Sequence, residues 1–444
     1  MPPFVFGRGV APQRPMNGVR NTVTERVRTR LAARLVDLQR HAPNGELSRE
    51  RGALVEELRR ILRDLPQEEY RALKVSRQGE EDRFLQVLID ETLGTYGPLD
   101  SLLADATISE IMVNGPHQVF VERSGHLQRL PLQFRDTEHL MAVIERMLGT
   151  VGGSVNESNP ICDAMLPDGS RLNVIIPPLV PEGPIVTIRR KLRSWTMQEY
   201  VTLETLSKEA AEFIEACVKT KVNMIFSGGT STGKTTLVSI VSANIPQHER
   251  IITIENVSEL ELPNRPHWIR MVGKSPNMEG RGEVPLRTLV RNALRMRPDR
   301  IILGEARGGE ALDVVQAMHT GHDGVITVLH ANSPQAALER LETLMLMSGV
   351  ELPPYACRMQ IASAIDLIIH MGRFVDGSRH IAAISQVLGA SRDGFQLEDL
   401  FTFEVGGFAA NGQLQGTCRY TGARPKFLTK FQWNNVEVPT WVTQ

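Results

Sequence analysis

The stretch Gly228-Gly229-Thr230-Ser231-Thr232-Gly233-Lys234-Thr235 constrains this chain more than any other. It has the form G-x-x-x-x-G-K-[ST], with an apolar strand-like run at 222–226 before it and a helix-forming run from Thr236 after it, the setting such a loop requires. Glycines let the main chain turn its N–H groups inward, and the following helix adds its positive end. A polyphosphate is therefore held before any side chain is counted. Lys234 then reaches the terminal phosphates and the Thr235 hydroxyl ligates Mg²⁺. ATP with Mg²⁺ is the expected ligand, and Gly228, Gly229, Thr230, Ser231, Thr232, Gly233, Lys234, Thr235 and Thr236 are the expected nucleotide-binding residues.

The rest of the C-terminal half supplies a sheet for that loop. Past Trp195, helical stretches alternate with short apolar runs at 222–226, 251–254, 301–303, 325–329 and 365–369. This alternation predicts an α/β fold, a parallel sheet with helices on both faces. From 108 to 190, alternating runs at 111–113, 119–121, 172–176 and 185–188, with one helix near 137–149, predict an α+β domain. The expected organisation is a disordered arm at 1–18, a small helical bundle at 19–78, the α+β domain at 79–190, a linker at 191–196 and the ATPase domain at 197–444. A chain of 444 residues has room for two or three domains. The bundle rests on Val23, Val27, Leu31, Leu35 and Leu38 and, after the break at Pro43-Asn44-Gly45, on Leu54, Leu58, Ile61, Leu62 and Leu65; a third amphipathic segment rests on Phe84, Val87, Leu88 and Leu93.

With 41% hydrophobic and 23% charged residues and no apolar run near membrane-spanning length, the composition is that of a soluble globular protein. No signal-peptide pattern opens the chain, so the cytoplasm is the expected compartment. Four dispersed cysteines (162, 217, 357 and 418) fit reduced core positions better than a disulfide frame. A net charge of −1 gives no general field for nucleic acid, and none is expected as partner. Residues 1–40 differ: eight Arg against Glu25 and Asp37 give 8 − 2 = +6. This arm is either a solvated helix face or a dock for an acidic partner or an anionic membrane surface.

A hydrolase also needs carboxylates at the strand ends beside the loop. Glu255 closes the run 251–254, and Glu305 follows 301–303 and Gly304. Glu255 is favoured for the attacking water and Glu305 for Mg²⁺ through its water shell. His319, His322 and His330 fall within twelve residues. A metal site is the less favoured reading of them. His330, closing the run 325–329, reaches the loop's edge of the sheet, and His322 and His330 are expected to sense the γ-phosphate or link it to a subunit boundary; plain core histidines are the alternative.

Taken in order, Tyr96-Gly-Pro-Leu-Asp, Ile108-Ser-Glu-Ile-Met-Val-Asn-Gly-Pro, Leu166-Pro-Asp-Gly-Ser-Arg-Leu-Asn and the phosphate loop resemble the CpaF/TadA-type secretion ATPases of tight-adherence pili, in the type II/IV secretion ATPase superfamily. The resemblance continues through Ile251-Ile-Thr-Ile-Glu (Asp box), the Walker B segment ending at Glu305, and the His box from Thr320-Gly-His-Asp-Gly to Leu329-His-Ala-Asn-Ser-Pro. It implies a homo-hexameric ring of RecA-like ATPase domains with mobile N-terminal domains, set under an inner-membrane platform protein and driving pilus assembly or export. It also implies that Arg171 and Arg189 reach the nucleotide phosphates. A nucleotide-gated scaffold with little turnover and a RecA-like nucleic-acid motor are the competing readings. This chain departs from the family at Ser231-Thr232, where Gly-Ser is usual, at Asn256, where Asp is usual, and at Arg190-Lys191, where Lys-Phe is usual.

Overall fold

The computed structural model describes residues 96–442 except 124, 192, 193, 275, 277–280 and 411, and before them only 26, 56, 59–67 and 70. The arm expected at 1–18 and the amphipathic segment at 84–93 lie outside the described residues, as does nearly all of the bundle expected at 19–78. The chain divides into two compact units, Met1–Leu192 and Arg193–Gln444.

The first unit is built on β1 (Ile108–Asn114), β2 (Val119–Arg123), β3 (His126–Leu130), β4 (Ile161–Met165), β5 (Arg171–Ile175) and β6 (Ile185–Arg189). They form one antiparallel sheet in the order β3-β2-β1-β6-β5-β4. Helix α1 (Thr137–Gly149) begins where the Asp136 carboxylate accepts the His139 N–H at 2.7 Å, a side-chain N-cap. Leu140, Val143, Ile144 and Met147 recur at helical spacing and share one core with Ile111, Val113, Val121 and Ile188 from the sheet. The apolar runs expected at 111–113, 119–121, 172–176 and 185–188 are β1, β2, β5 and β6. β3 and β4 were not expected: β3 is exposed along nearly its whole length. Arg190, which follows β6, turns its guanidinium onto the carbonyls of Leu102 and Asp105, at the end of the short helix Asp100–Ala104.

The second unit runs α2 (Met197–Thr202), α3 (Lys208–Lys219), β7 (Met224–Gly228), α4 (Lys234–Ser242), β8 (Ile251–Glu255), β9 (Trp268–Val272), α5 (Leu286–Ala293), β10 (Arg300–Leu303), α6 (Glu310–His319), β11 (Ile326–His330), α7 (Pro334–Leu346), α8 (Pro354–Ala364), β12 (Leu367–Arg373), β13 (Arg379–Ala390), β14 (Phe395–Phe408) and β15 (Leu414–Tyr420). One sheet joins them in the order β15-β14-β13-β12-β7-β11-β10-β8-β9. From β12 to β9 every pairing is parallel; from β12 to β15 every pairing is antiparallel.

The two-residue period of a strand decides which helices it buries. Met224 and Phe226 of β7 enter one core with Phe213, Ile214, Leu237 and Val241 of α3 and α4. Ile225 between them enters the opposite core with Val290, Val315, Leu341 and Ile361 of α5 to α8. Helices thus cover both faces, as the continuous apolar runs require. Because these strands are parallel, their exit ends share one edge.

Candidate functional site

At that edge β7 leaves the sheet at Gly228 and re-enters order as α4 at Lys234. Gly228 has φ +152° and Gly233 φ +92°, both outside the range of ordinary side chains. A Cβ at Gly228 would stand 2.5 Å from the Met371 carbonyl oxygen of β12, so β12 presses directly on the loop. Ser231 sits at φ +58°, a left-handed position taken by a non-glycine residue. The Thr232 hydroxyl donates to the Gly229 carbonyl at 3.0 Å and tightens the turn. Lys234 is buried, and its Nζ donates to the carbonyls of Gly228 at 3.1 Å and Gly229 at 2.6 Å. Its cation therefore lies over the concave side of the loop, where a phosphate chain is drawn by charge and by the N–H groups at the start of α4.

The neighbouring strands bring further groups to the same edge in spatial order. β11 lies beside β7, with His330 in register with Gly228. β10 lies next, and Glu305 follows it after Gly304. β8 lies beyond, ending at Glu255. Glu305 is held from two sides: Arg307 Nη2 donates to Oε2 at 2.7 Å, and His330 Nε2 stands 3.5 Å from Oε1. The carboxylate in turn raises the Arg307 pKa.

Glu255 is buried, with Cγ packed against Gly304; a Cβ there would stand 2.7 Å from it. Its Oε1 accepts the N–H groups of Glu259 and Leu260, both at 3.0 Å. Burial nevertheless dominates and pushes its pKa up to about 7, against those two hydrogen bonds. The edge thus carries one carboxylate held between Arg307 and His330 and one whose pKa lies near neutrality.

The expected residues do not all meet there. His322 precedes β11 instead of following it, so the chain does not bring it to its own phosphate loop, and the expected contact with the γ-phosphate there is corrected on that ground; the subunit-boundary role is a separate proposal. The N–H groups of Gly324 and Val325 donate to Asn223 at the entry to β7, so His322 lies at the opposite edge, a strand length or about 15 Å from His330 within the same chain. His319 Nε2 meets the Gln360 carbonyl at 3.0 Å. Arg171 and Arg189 belong to the first unit, where they are direct cross-strand partners on β5 and β6. Arg189 also faces Glu110 across β1.

Four residues at the loop escaped the sequence reading. Arg307 stands two positions beyond Glu305. His370 stands opposite Ser227, its Nδ1 2.9 Å from the serine Oγ. Tyr200 hydrogen-bonds Thr236, and burial pushes its pKa up to about 12. A Cβ at Gly233 would touch both Tyr200 and Arg379. For His370 a signal existed: it closes the apolar run 365–369 just as Glu255 and Glu305 close theirs.

The chain matches the family described as type II/IV secretion system protein over residues 93–389. A putative conjugal transfer protein of Mycobacterium tuberculosis is 33% identical over 310 residues, 68% of this chain and 86% of the relative. The type IV secretion system protein VirB11 of Brucella suis is 34% identical over 316 residues, 65% of this chain and 88% of the relative. The crystal structure of the Brucella suis VirB11 ATPase with sulphate is 30% identical, covers 68% of this chain and 96% of that one, and superposes with a TM-score of 0.36. With a nucleotide-binding loop and two strand-end carboxylates on one edge of an α/β sheet, the chain belongs to the type II/IV secretion ATPase family and is an ATP hydrolase.

Proposed function

We propose that this chain is the hexameric motor of a tight-adherence or related type IV-like pilus, working in the cytoplasm at the inner face of the inner membrane against a platform protein. The observation that supports it most is the row of Lys234, His330, Glu305 and Glu255 along one sheet edge, in a chain of the secretion family. The names of its relatives, a conjugal transfer protein and a type IV secretion protein, favour a transport machine. No helix among the described residues is long and apolar enough to cross a membrane, which suits a motor working from one side.

In this reading Glu255 orients and deprotonates the attacking water, a role for which a pKa of about 7 is well matched. Lys234 and the loop N–H groups carry the phosphate charge. His330, beside Glu305 and in register with Gly228, reports the terminal phosphate to the Walker B strand. The Thr235 hydroxyl, with Glu305 acting through water, would hold Mg²⁺; these hard oxygen donors suit an ion that keeps much of its hydration shell and supplies charge neutralisation. Arg171 and Arg189 supply transition-state charge from the first unit. Placing two arginines opposite each other in a sheet costs stability, and an anionic ligand offsets that cost.

A second reading, a nucleotide-gated scaffold with little turnover, is favoured by Ser231 at φ +58° in the loop. The two separate by experiment. Intact chain is recovered from its own membranes and its mass in solution measured with ATP. A hexamer co-purifying with a polytopic membrane protein supports the motor, and a monomer that recovers none contradicts it. Tight binding of labelled ATP with turnover at background assigns the scaffold.

A further inference from the structure

His370 lies in β12, closing the apolar run 365–369, and three neighbouring segments converge on it. Ser227 of β7, the residue immediately before the phosphate loop, is its cross-strand partner, with Oγ 2.9 Å from Nδ1. The main chain of Asn332, two residues beyond His330, hydrogen-bonds the ring and favours its charged form, which identifies the Asn332 partner as the carbonyl. The next residue of β12, Met371, presses its carbonyl on Gly228.

The hydrogen-bond pattern sets the tautomer. The ring donates one N–H to the Asn332 carbonyl, so Nδ1 in the neutral ring is an acceptor and Ser227 Oγ–H donates to it. The ring is nine-tenths buried, and its pKa is lowered first by burial and second by Lys234. Ser227 and Asn332 are uncharged, as is Ala383, its partner on β13. Lys234 is thus the charge that acts on it. Protonation would place a second cation beside Lys234 and reverse the Ser227 hydrogen bond, Nδ1–H then donating to Oγ.

We propose that neutral His370 is a positioning residue for ATP hydrolysis: it ties the root of the phosphate loop at Ser227 to the segment that carries His330, fixing the two relative to each other. The inference rests on the hydrolytic reading of this edge. It assigns to β12 a part in turnover that does not require contact with nucleotide. An amide can replace the ring, since a glutamine oxygen accepts from Ser227 while its N–H₂ donates to Asn332.

The test compares His370→Gln and His370→Leu with the wild type in the full chain. The hydrolytic reading is checked first by phosphate release against Lys234→Ala, so its failure is seen separately. His370→Gln is then expected to keep kcat within about threefold, while His370→Leu lowers kcat tenfold or more with KM changed less than about threefold. Equal loss in both variants, or none in either, overturns the proposal, as does a loss in His370→Leu carried entirely by KM.

If His370→Leu does not fold, Ser227→Ala takes its place, removing the hydroxyl that Nδ1 accepts from. It is expected to lower kcat tenfold or more with KM changed less than about threefold; an unchanged kcat, or a loss carried entirely by KM, overturns the proposal.

Discussion

Glu255 is buried where a carboxylate is costly to charge, and it must charge to act as a base. With its pKa near 7, turnover is expected to rise with pH through about 7 and then level off. The linkage to stability runs the other way. A carboxyl whose pKa is higher folded than unfolded stabilises the fold fully below its ordinary value near 4.5, and that contribution is lost as pH rises through 7. Glu255→Gln keeps an acceptor for the Glu259 and Leu260 N–H groups without the charge. At pH 8 it is expected to melt a few degrees higher than wild type while turnover falls to the level of Lys234→Ala, read by calorimetry and phosphate release. A lower Tm together with unchanged turnover would remove Glu255 from the site.

Ser231 gives a second test at this scale. Its left-handed backbone costs a residue with a Cβ roughly 1–2 kcal/mol, and a β-branched one more. Ser231→Val is expected to lower stability and ATP affinity together. Ser231→Gly is expected to hold or raise both, although glycine's freedom in the unfolded chain offsets part of the gain. Equal melting temperatures and ATP affinities for the two variants would show that the loop relaxes around this position.

Among the elements, β5 and β6 carry the arginine pair. Like charges directly opposite in a sheet are destabilising by a few tenths of a kcal/mol, eased here by Glu110. Arg171→Gln and Arg189→Gln are therefore expected to leave the melting temperature unchanged or raised. Each is expected to cut kcat at least tenfold, with ATP affinity changed less, in steady-state and equilibrium measurements. Normal kcat in both variants would confine the pair to the sheet.

The same scale explains what was legible in advance. β7, β8, β10, β11 and β12 are buried on both faces, so each appears as an apolar run. β3 and β9 are exposed or half-exposed and write no such pattern. The antiparallel strands β13 to β15 did carry a signal that was passed over: Asp376-Gly377, Asp393-Gly394 and Asn411-Gly412, dipeptides that favour hairpin turns, separate β12 to β15 in the sequence. The acids were legible because they close buried strands. His322 was misplaced because a residue before a parallel strand lies at the edge opposite one that follows it. His370 follows its run and was passed over because a polar residue among core positions reads first as packing.

Over the whole molecule, family similarity spans residues 93–389, across both units. β12 and β7 are held together at the root of the site, His370 pairing with Ser227. The central claim is that the edge beginning at Gly228 hydrolyses ATP. Phosphate release by the intact chain with Mg-ATP tests it most directly, beside Lys234→Ala and Glu255→Gln and with labelled-ATP binding measured on all three. Expected are turnover by the wild type alone, binding retained in Glu255→Gln, and binding lost in Lys234→Ala. Phosphate release by the wild type no faster than by Lys234→Ala would contradict it.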